Sequence, residues 1–518
     1  MSREKTTVSL IALTVVFLAA RSEAAPRNGS DGSGQQSTSQ QSMVPEATGE
    51  QITLLRQKLD GIFSRSDFRG ATWGVYVYSA SREEEIYSFN KHTLMVPASN
   101  MKLYTTAAAL VKLGPNFRYE TSLFRTGDID PSGILNGSLV VRGSGDFSLS
   151  ARFHNGNALK PFDDWIEELK KAGINKVRGD IVGDDSVFDN KNHGPGWTMD
   201  YLDDWYAAEV SGLALNDNCV DVYAYPGSSA GSPAVLKPVP DCSFVKFKNQ
   251  ALTGRSGETS GIRFDRPFRS NEITITGRVA LGTKPQVIWI TVSDPTTFFV
   301  TVLRERLVER GISVEGGAYS LRDYADKSRV ARRELIAGYY SPPLSELVKV
   351  IGRNSQNLYA EQLFKTMGSR LKRNGSFAGG AKVVEEFLSG IGLDSRMYQF
   401  FDGSGLSRLN LVNAFGTVRL LDCMRGEQTF PVFLDSLPEA GRTGTLSSRM
   451  RGTGAEGNLY AKTGTIRNTR ALSGYLTTRE GELLVFSMFV NNFTPYSSGK
   501  PRMAIDEACV LLADFARN

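Results

Sequence analysis

Histidine is almost missing: 518 residues contain only His92, His154 and His193. None stands in a His-Glu-x-x-His run or similar spacing, which argues against a metallohydrolase of that kind. A Ser-His-Asp triad would have to draw its base from three histidines that lack any supporting motif. Cysteine is nearly as scarce, at Cys219, Cys242, Cys423 and Cys509. The absence of Cys-x-x-Cys disfavours zinc ribbons and thioredoxin-type chemistry. Cys219 and Cys242 flank a Gly/Pro-rich segment, and whether they pair is open; Cys423 and Cys509 lie in apolar helical patterns and read as buried thiols. There is no long basic run and the net charge is only +5. Nothing here calls for nucleic acid, although mild basicity suits an anionic polymer.

Long hydrophobic runs are also lacking. The longest, VSLIALTVVFLAA from Val8 to Ala20, falls short of the about 20 residues of a spanning helix. It follows Arg3 and Lys5 and precedes RSEAAP, the order of a secretory signal peptide over residues 1–24, with cleavage near Ala24 or Ala25. A signal anchor is the other reading. Residues 25–48 are rich in Gly, Ser, Gln and Thr and read as a flexible tether. Hydrophobic content of 41% and charged content of 22% then describe an ordinary globular remainder, with length for three or four domains.

Residues 49–65 show apolar positions at helical spacing. Two strand-like runs follow, ATWGVYVYSA and EEEIYSFN, and then a helix from PASNMKLYTT that stops at Gly114-Pro115. Three more strand-like runs come late, NLYAKTGTI, TRALSGYLTT and ELLVFSMFVNNF, before an amphipathic C-terminal helix. Two early and three late strands, with helices at each end, predict an α+β domain: one antiparallel five-stranded sheet covered by helices, assembled from residues 49–115 and 336–518. Residues 116–335 are dominated by short β-rich runs. They are too many for one connection and read as a β-rich insert of one or two nested domains, with a helix near TTFFVTVLRERLVERG. DYLDDW, from Asp200 to Trp205, reads as a solvated loop.

Ser99 and Lys102 stand one helical turn apart, so they share a face. Ser99 could be a plain helix N-cap, or a nucleophile beside its base. Ser-x-x-Lys also begins at Ser2, Ser88, Ser243, Ser369 and Ser497. Two later motifs single out Ser99: Ser355-Gln356-Asn357 in a helical region, and Lys462-Thr463-Gly464-Thr465 in a strand, the one Lys-Thr-Gly of the chain. That ordered set is used by penicillin-interacting serine enzymes.

The chain resembles the class C penicillin-binding proteins of the D-alanyl-D-alanine carboxypeptidase/endopeptidase type. Their catalytic domain has the penicillin-binding/β-lactamase-like serine transpeptidase fold, interrupted by nested domains. RGSGD at 142–146, GDIVGDDSVF at 179–188, AEVSGLALNDN at 208–218, DGSGLSRLNLV at 402–412 and RTGTL at 442–446 share the likeness. The resemblance implies Ser99 as nucleophile and Lys102 as its base, with Lys462 as a second positive charge that keeps Lys102 neutral. Ser355 would pass a proton to the leaving amine, and Asn357 would orient the acyl side. Thr463, Gly464 and Thr465 would line up the substrate, and Thr463 and Thr465 would take its terminal carboxylate. Arg408 would contact substrate, and Asp184, or its neighbour Asp185, would meet the amino group of a diaminopimelate side chain. The substrate so implied is a peptidoglycan stem peptide, with β-lactams as covalent inhibitors, no cofactor or metal, and a periplasmic or secreted location with peripheral wall or membrane association.

Two alternatives stand beside this. β-Lactamase action is one, but no Glu-x-x-Leu-Asn run separates the first two motifs, so a penicillin acyl-enzyme is expected to persist. A non-catalytic wall-binding protein is the other, and it predicts drift at the motif lysines, both of which are in place.

Overall fold

The computed structural model describes residues 47–494 and 499–518. The predicted signal peptide, nearly all of the predicted tether, and the motif serines Ser2 and Ser497 lie outside the described residues. The first helix, Ala47–Phe63, begins inside the last two positions assigned to the tether.

Five strands form the expected antiparallel sheet, in the order Glu84–Phe89, Thr72–Ser79, Leu483–Asn491, Thr469–Thr477, Leu459–Ile466. The central strands are buried along nearly their whole length, and because successive side chains point to opposite faces the sheet carries a core on each. Leu59, Val75, Val77, Phe486 and Leu512 share one core, with the first and last helices. Tyr76, Val485 and Phe489 share the other, with the helices Met101–Lys112 and Asn357–Lys372. Leu459–Ile466 is the edge strand. Pro438 and Ala440 hydrogen-bond to its first residues, Leu459 and Ala461, so its open edge starts at Lys462.

The intervening chain builds separate sheets. Glu120–Arg125, Leu139–Arg142, Ile181–Asp184, Ala318–Ser320 and Glu334–Tyr340 form a mixed five-stranded sheet. Cys219–Tyr225 pairs with Val235–Val239 and Gln286–Thr291, and Glu272–Ala280 centres a further small sheet. Their core draws Phe298, Phe299 and Leu303 from the helix Pro295–Glu309. It also takes Phe162, Trp165 and Leu169 from Lys160–Lys171, a helix absent from the β-rich reading of this stretch. All four cysteines are free thiols, which settles the open Cys219–Cys242 question against a disulfide. Among the described residues no helix is long and apolar enough to cross a membrane.

Candidate active site

Ser99 sits in a single turn, Ala98–Asn100, that feeds the helix Met101–Lys112. No side chain caps this helix. The serine oxygen instead faces Lys102, 3.1 Å from its Nζ. The competing motifs are engaged elsewhere: Lys91 pairs with Glu85, Ser243 with Glu305, and Lys372 with Glu386. The histidines are too. His92 packs on Phe415, His154 bonds Tyr339, and His193 packs on Trp197.

Lys102 is buried. Its Nζ lies 2.7 Å from Asn357 Oδ1 and 2.8 Å from the Ser404 carbonyl. The Asn357 amide nitrogen donates to the Tyr206 carbonyl at 2.7 Å, which orients the amide so that Oδ1 points at the lysine. A carbonyl and an amide oxygen only accept, whereas a hydroxyl can also donate. Two N–H groups go to Asn357 and Ser404; the third direction meets the Ser99 hydroxyl, which accepts from an ammonium and donates to the lone pair of a neutral amine. Burial lowers the Lys102 pKa to about 7, against the opposing pull of Glu361 and Asp402.

The site was expected to contain a helical Ser355. The structure breaks the helix there, between Leu344–Arg353 and Asn357–Lys372. Ser355 adopts φ 59° and Ala98, next to the nucleophile, φ 47°; each such residue costs about 1–3 kcal/mol unless its surroundings hold it. Ser355 Oγ accepts from Lys462 Nζ at 2.9 Å, and the same amine donates to the Thr463 carbonyl at 3.0 Å. Burial first, and then the charge of Lys102, push the Lys462 pKa well down. For Lys102 burial is likewise the leading cause, in place of the expected charge on Lys462.

Two glycines let these pieces meet. A Cβ on Gly464 would stand 2.7 Å from the Pro97 carbonyl and 3.0 Å from Asn100 Nδ2. Asn100 Nδ2 in turn donates to the Lys462 carbonyl at 3.0 Å, so the Lys-Thr-Gly strand lies directly on the nucleophile turn. A Cβ on Gly405 would stand 1.8 Å from the Ala98 carbonyl.

Sequence reasoning gave no role to Asp402, although it opens the DGSGLSRLNLV run that carried the family likeness, or to Glu361 in the helix that begins at Asn357. Both are buried. Glu361 accepts from the backbone N–H of Gly403 at 2.7 Å and of Ser404 at 2.8 Å. Asp402 accepts from Gly405 N at 2.8 Å, Ser407 N at 2.6 Å and Trp197 Nε1 at 2.9 Å. Together they fix the loop whose Ser404 carbonyl binds Lys102. Burial, then Asp402, raise the Glu361 pKa to about 8.

Above these groups opens a cleft of about 870 Å³, lined by Ser99, Ser355, Asn357, Thr463 and Thr465. Thr463 shares a 2.8 Å hydroxyl contact with Thr445. The DYLDDW run is not wholly solvated as expected: Tyr201 and Trp205 help to wall the cleft, beside Tyr206. Arg408 reaches the site only indirectly, donating to the Arg467 carbonyl at 2.7 Å. Asp184 corrects its expectation. Its buried carboxylate pairs with Arg333 at 2.6 Å and it is not part of the cleft lining. Asp185 Oδ2 is engaged by Thr296 at 2.7 Å and Arg322 at 3.3 Å, and Asp185 too lies outside the cleft lining.

Residues 55–514 match the family described as D-Ala-D-Ala carboxypeptidase 3 (S13). The chain is 34% identical over 483 residues to the D-alanyl-D-alanine carboxypeptidase of Actinomadura sp. (strain R39), covering 91% of this chain and 87% of the relative. It is 28% identical to the D-alanyl-D-alanine carboxypeptidase DacB of Haemophilus influenzae, over 92% of this chain and 94% of the relative. The crystal structure of penicillin binding protein 4 from Haemophilus influenzae superposes with a TM-score of 0.73 at 26% identity, over 88% of this chain and 97% of that one. A penicillin-binding fold, with a serine and a buried lysine brought together beneath its cleft and a family match running from the first helix to the last, leads to one assignment: the chain belongs to the D-Ala-D-Ala carboxypeptidase 3 (S13) family of serine-type peptidases.

Proposed function

We propose that the chain hydrolyses the D-alanyl amide at the end of peptidoglycan stem peptides, or at their cross-links, through an acyl-enzyme on Ser99, and that β-lactams acylate the same oxygen. The observation that carries this is the Lys102 amine, buried, 3.1 Å from Ser99 Oγ and with its two other contacts both obligate acceptors. Lys102 takes the hydroxyl proton as Oγ attacks the carbonyl carbon. The backbone N–H groups of Ser99 and Thr465 receive the oxyanion, where one such donor is worth about 3 kcal/mol. Ser355, held by Lys462, hands its hydroxyl proton to the departing amine and is refilled by the proton Lys102 took. Neutral Lys102 can then accept a proton from the water that cleaves the ester. The edge free from Lys462 onward suits a peptide added as a strand. Asn357 orients its acyl side, Gly464 keeps the strand against the nucleophile turn, and Thr463 and Thr465 take its terminal carboxylate. The signal-like N-terminus supports action in the periplasm or outside the cell, with peripheral association with the wall.

Two measurements test this. Intact-mass analysis after penicillin treatment is expected to show one adduct that persists for minutes, absent in Ser99→Ala. Mass spectrometry of purified muropeptides is expected to show loss of D-alanine or resolution of dimers. No adduct and unchanged muropeptides would defeat the proposal.

A further inference from the structure

The cleft carries more positive charge than the chemistry at Ser99 uses. Arg449, Arg467, Arg470 and Arg502 all line it. Arg449 is neutralised by a two-point ion pair with Asp506. Lys500, near Arg502 on the same helix, pairs with Asp67 at 2.6 Å. Among the described residues no carboxylate lies within ion-pair distance of Arg467, Arg470 or Arg502.

Arg470 is also held in place. It stands directly across from Thr465 in the ladder, so the two side chains share a face of the sheet. One terminal nitrogen donates to the carbonyls of Ile466 at 3.1 Å and Thr469 at 2.8 Å. The buried ring of Phe493 lies 5.3 Å from the guanidinium carbon. These contacts leave the other guanidinium donors unused, because five N–H groups are available. Burial, and then the charge of Arg502, lower the Arg470 pKa, and both arginines line the same cleft.

We propose that Arg470 and Arg502, with Arg467 at the rim, form an anion subsite for a substrate carboxylate other than the one held at Thr463 and Thr465. This rests on the peptidase reading above. A planar carboxylate matches the guanidinium fork, and a stem peptide can bring it from two places. It belongs either to a residue on the acyl side or to the chain released with the amine when the bond is a cross-link.

Two pairs of synthetic D-alanyl peptides test the subsite. Within a pair the members differ only by a free carboxylate against its amide, placed on the acyl side in one pair and on the leaving chain in the other. The wild-type protein is expected to show kcat/KM about tenfold higher for the carboxylate member of one pair, the size of one charge-assisted contact. The pair that responds identifies the source. Arg470→Gln and, separately, Arg502→Gln bring the ratio toward one, and Arg470→Lys restores it only in part. Arg502 is exposed on the first turn of its helix, so its variant carries the test if Arg470→Gln does not fold. Equal rates within both pairs, or a ratio that survives both Gln substitutions, overturn the subsite. β-Lactam uptake by the wild-type protein, run alongside, separates the two claims: without acylation the peptidase reading falls, whereas acylation with no carboxylate preference removes only the subsite.

Discussion

Asn357 grips the Lys102 amine at 2.7 Å from a helix that starts 255 residues later in the chain. Because its other arm is tied to the Tyr206 carbonyl, the amide cannot turn its nitrogen toward the lysine without losing a buried hydrogen bond. The base is thus presented with its orientation already set. Its proton affinity follows from where it is buried.

That burial sets a pH dependence. The Lys102 pKa is lowered to about 7, so the neutral, reactive form grows as pH rises through that value. The rate constant for acylation by penicillin is expected to be low at pH 5.5, half-maximal near pH 7 and level above pH 8. Stopped-flow or quenched mass measurements across that range check it; a flat or falling profile counts against lysine as the base.

Glu361 clamps two consecutive backbone N–H groups. Glu361→Ala leaves both buried donors unpartnered, at about 1–3 kcal/mol each, and frees the Ser404 carbonyl that anchors Lys102. The variant is expected to melt at lower temperature and to acylate at least tenfold more slowly. Unchanged acylation in folded protein would show that the loop holds without it.

Gly464→Ala separates geometry from stability. The new methyl meets the Pro97 carbonyl and Ala471 Cβ, at 2.7 and 2.9 Å, so the edge strand must move off the nucleophile turn. Overpacking of this kind costs about 1–3 kcal/mol, while acylation is expected to fall by about a hundredfold, since a shift of about 1 Å has that effect on positioned groups. Paired calorimetry and adduct kinetics compare the two losses.

Asp184→Ala probes the corrected assignment. Removing one partner of this part-buried, charge-assisted hydrogen bond costs about 1.5–3 kcal/mol, so Arg333 left alone should lower the melting temperature. Discrimination between peptides with and without a side-chain amine at the third stem position should stay the same. A selective loss on the amine-bearing peptide would return Asp184 to substrate recognition.

The three motifs were legible because each couples a residue type to an element, and the strand-helix-strand order around them foretold the sheet. The Ser355 helix break was hidden, since NSQN offers no proline or glycine and its left-handed residue is imposed by tertiary contacts. Glu361 was hidden because a glutamate in a helical pattern reads as solvated, and only the incoming Gly403-Ser404 peptide turns it into a buried clamp. Asp184 misled for the opposite reason. Its neighbourhood resembled the family, but Arg333, far along the chain, had already taken its charge. Trp205 and Tyr201 were read as loop residues because local polarity carries no information about which wall a loop will form.

The pairing of Thr72–Ser79 with Leu483–Asn491 has a bearing on how the molecule comes into being. A central ladder joining residues 72–79 to residues 483–491 cannot close until the later segment has been made, and contacts so remote in sequence form late. Until then the hairpin that pairs Lys462 with Ser473 has no sheet to join, and the turn of Ser99 lacks the strand that lies on it. A copy lacking Leu483–Asn491 is consequently expected to be inert, since that strand joins the two halves of the sheet.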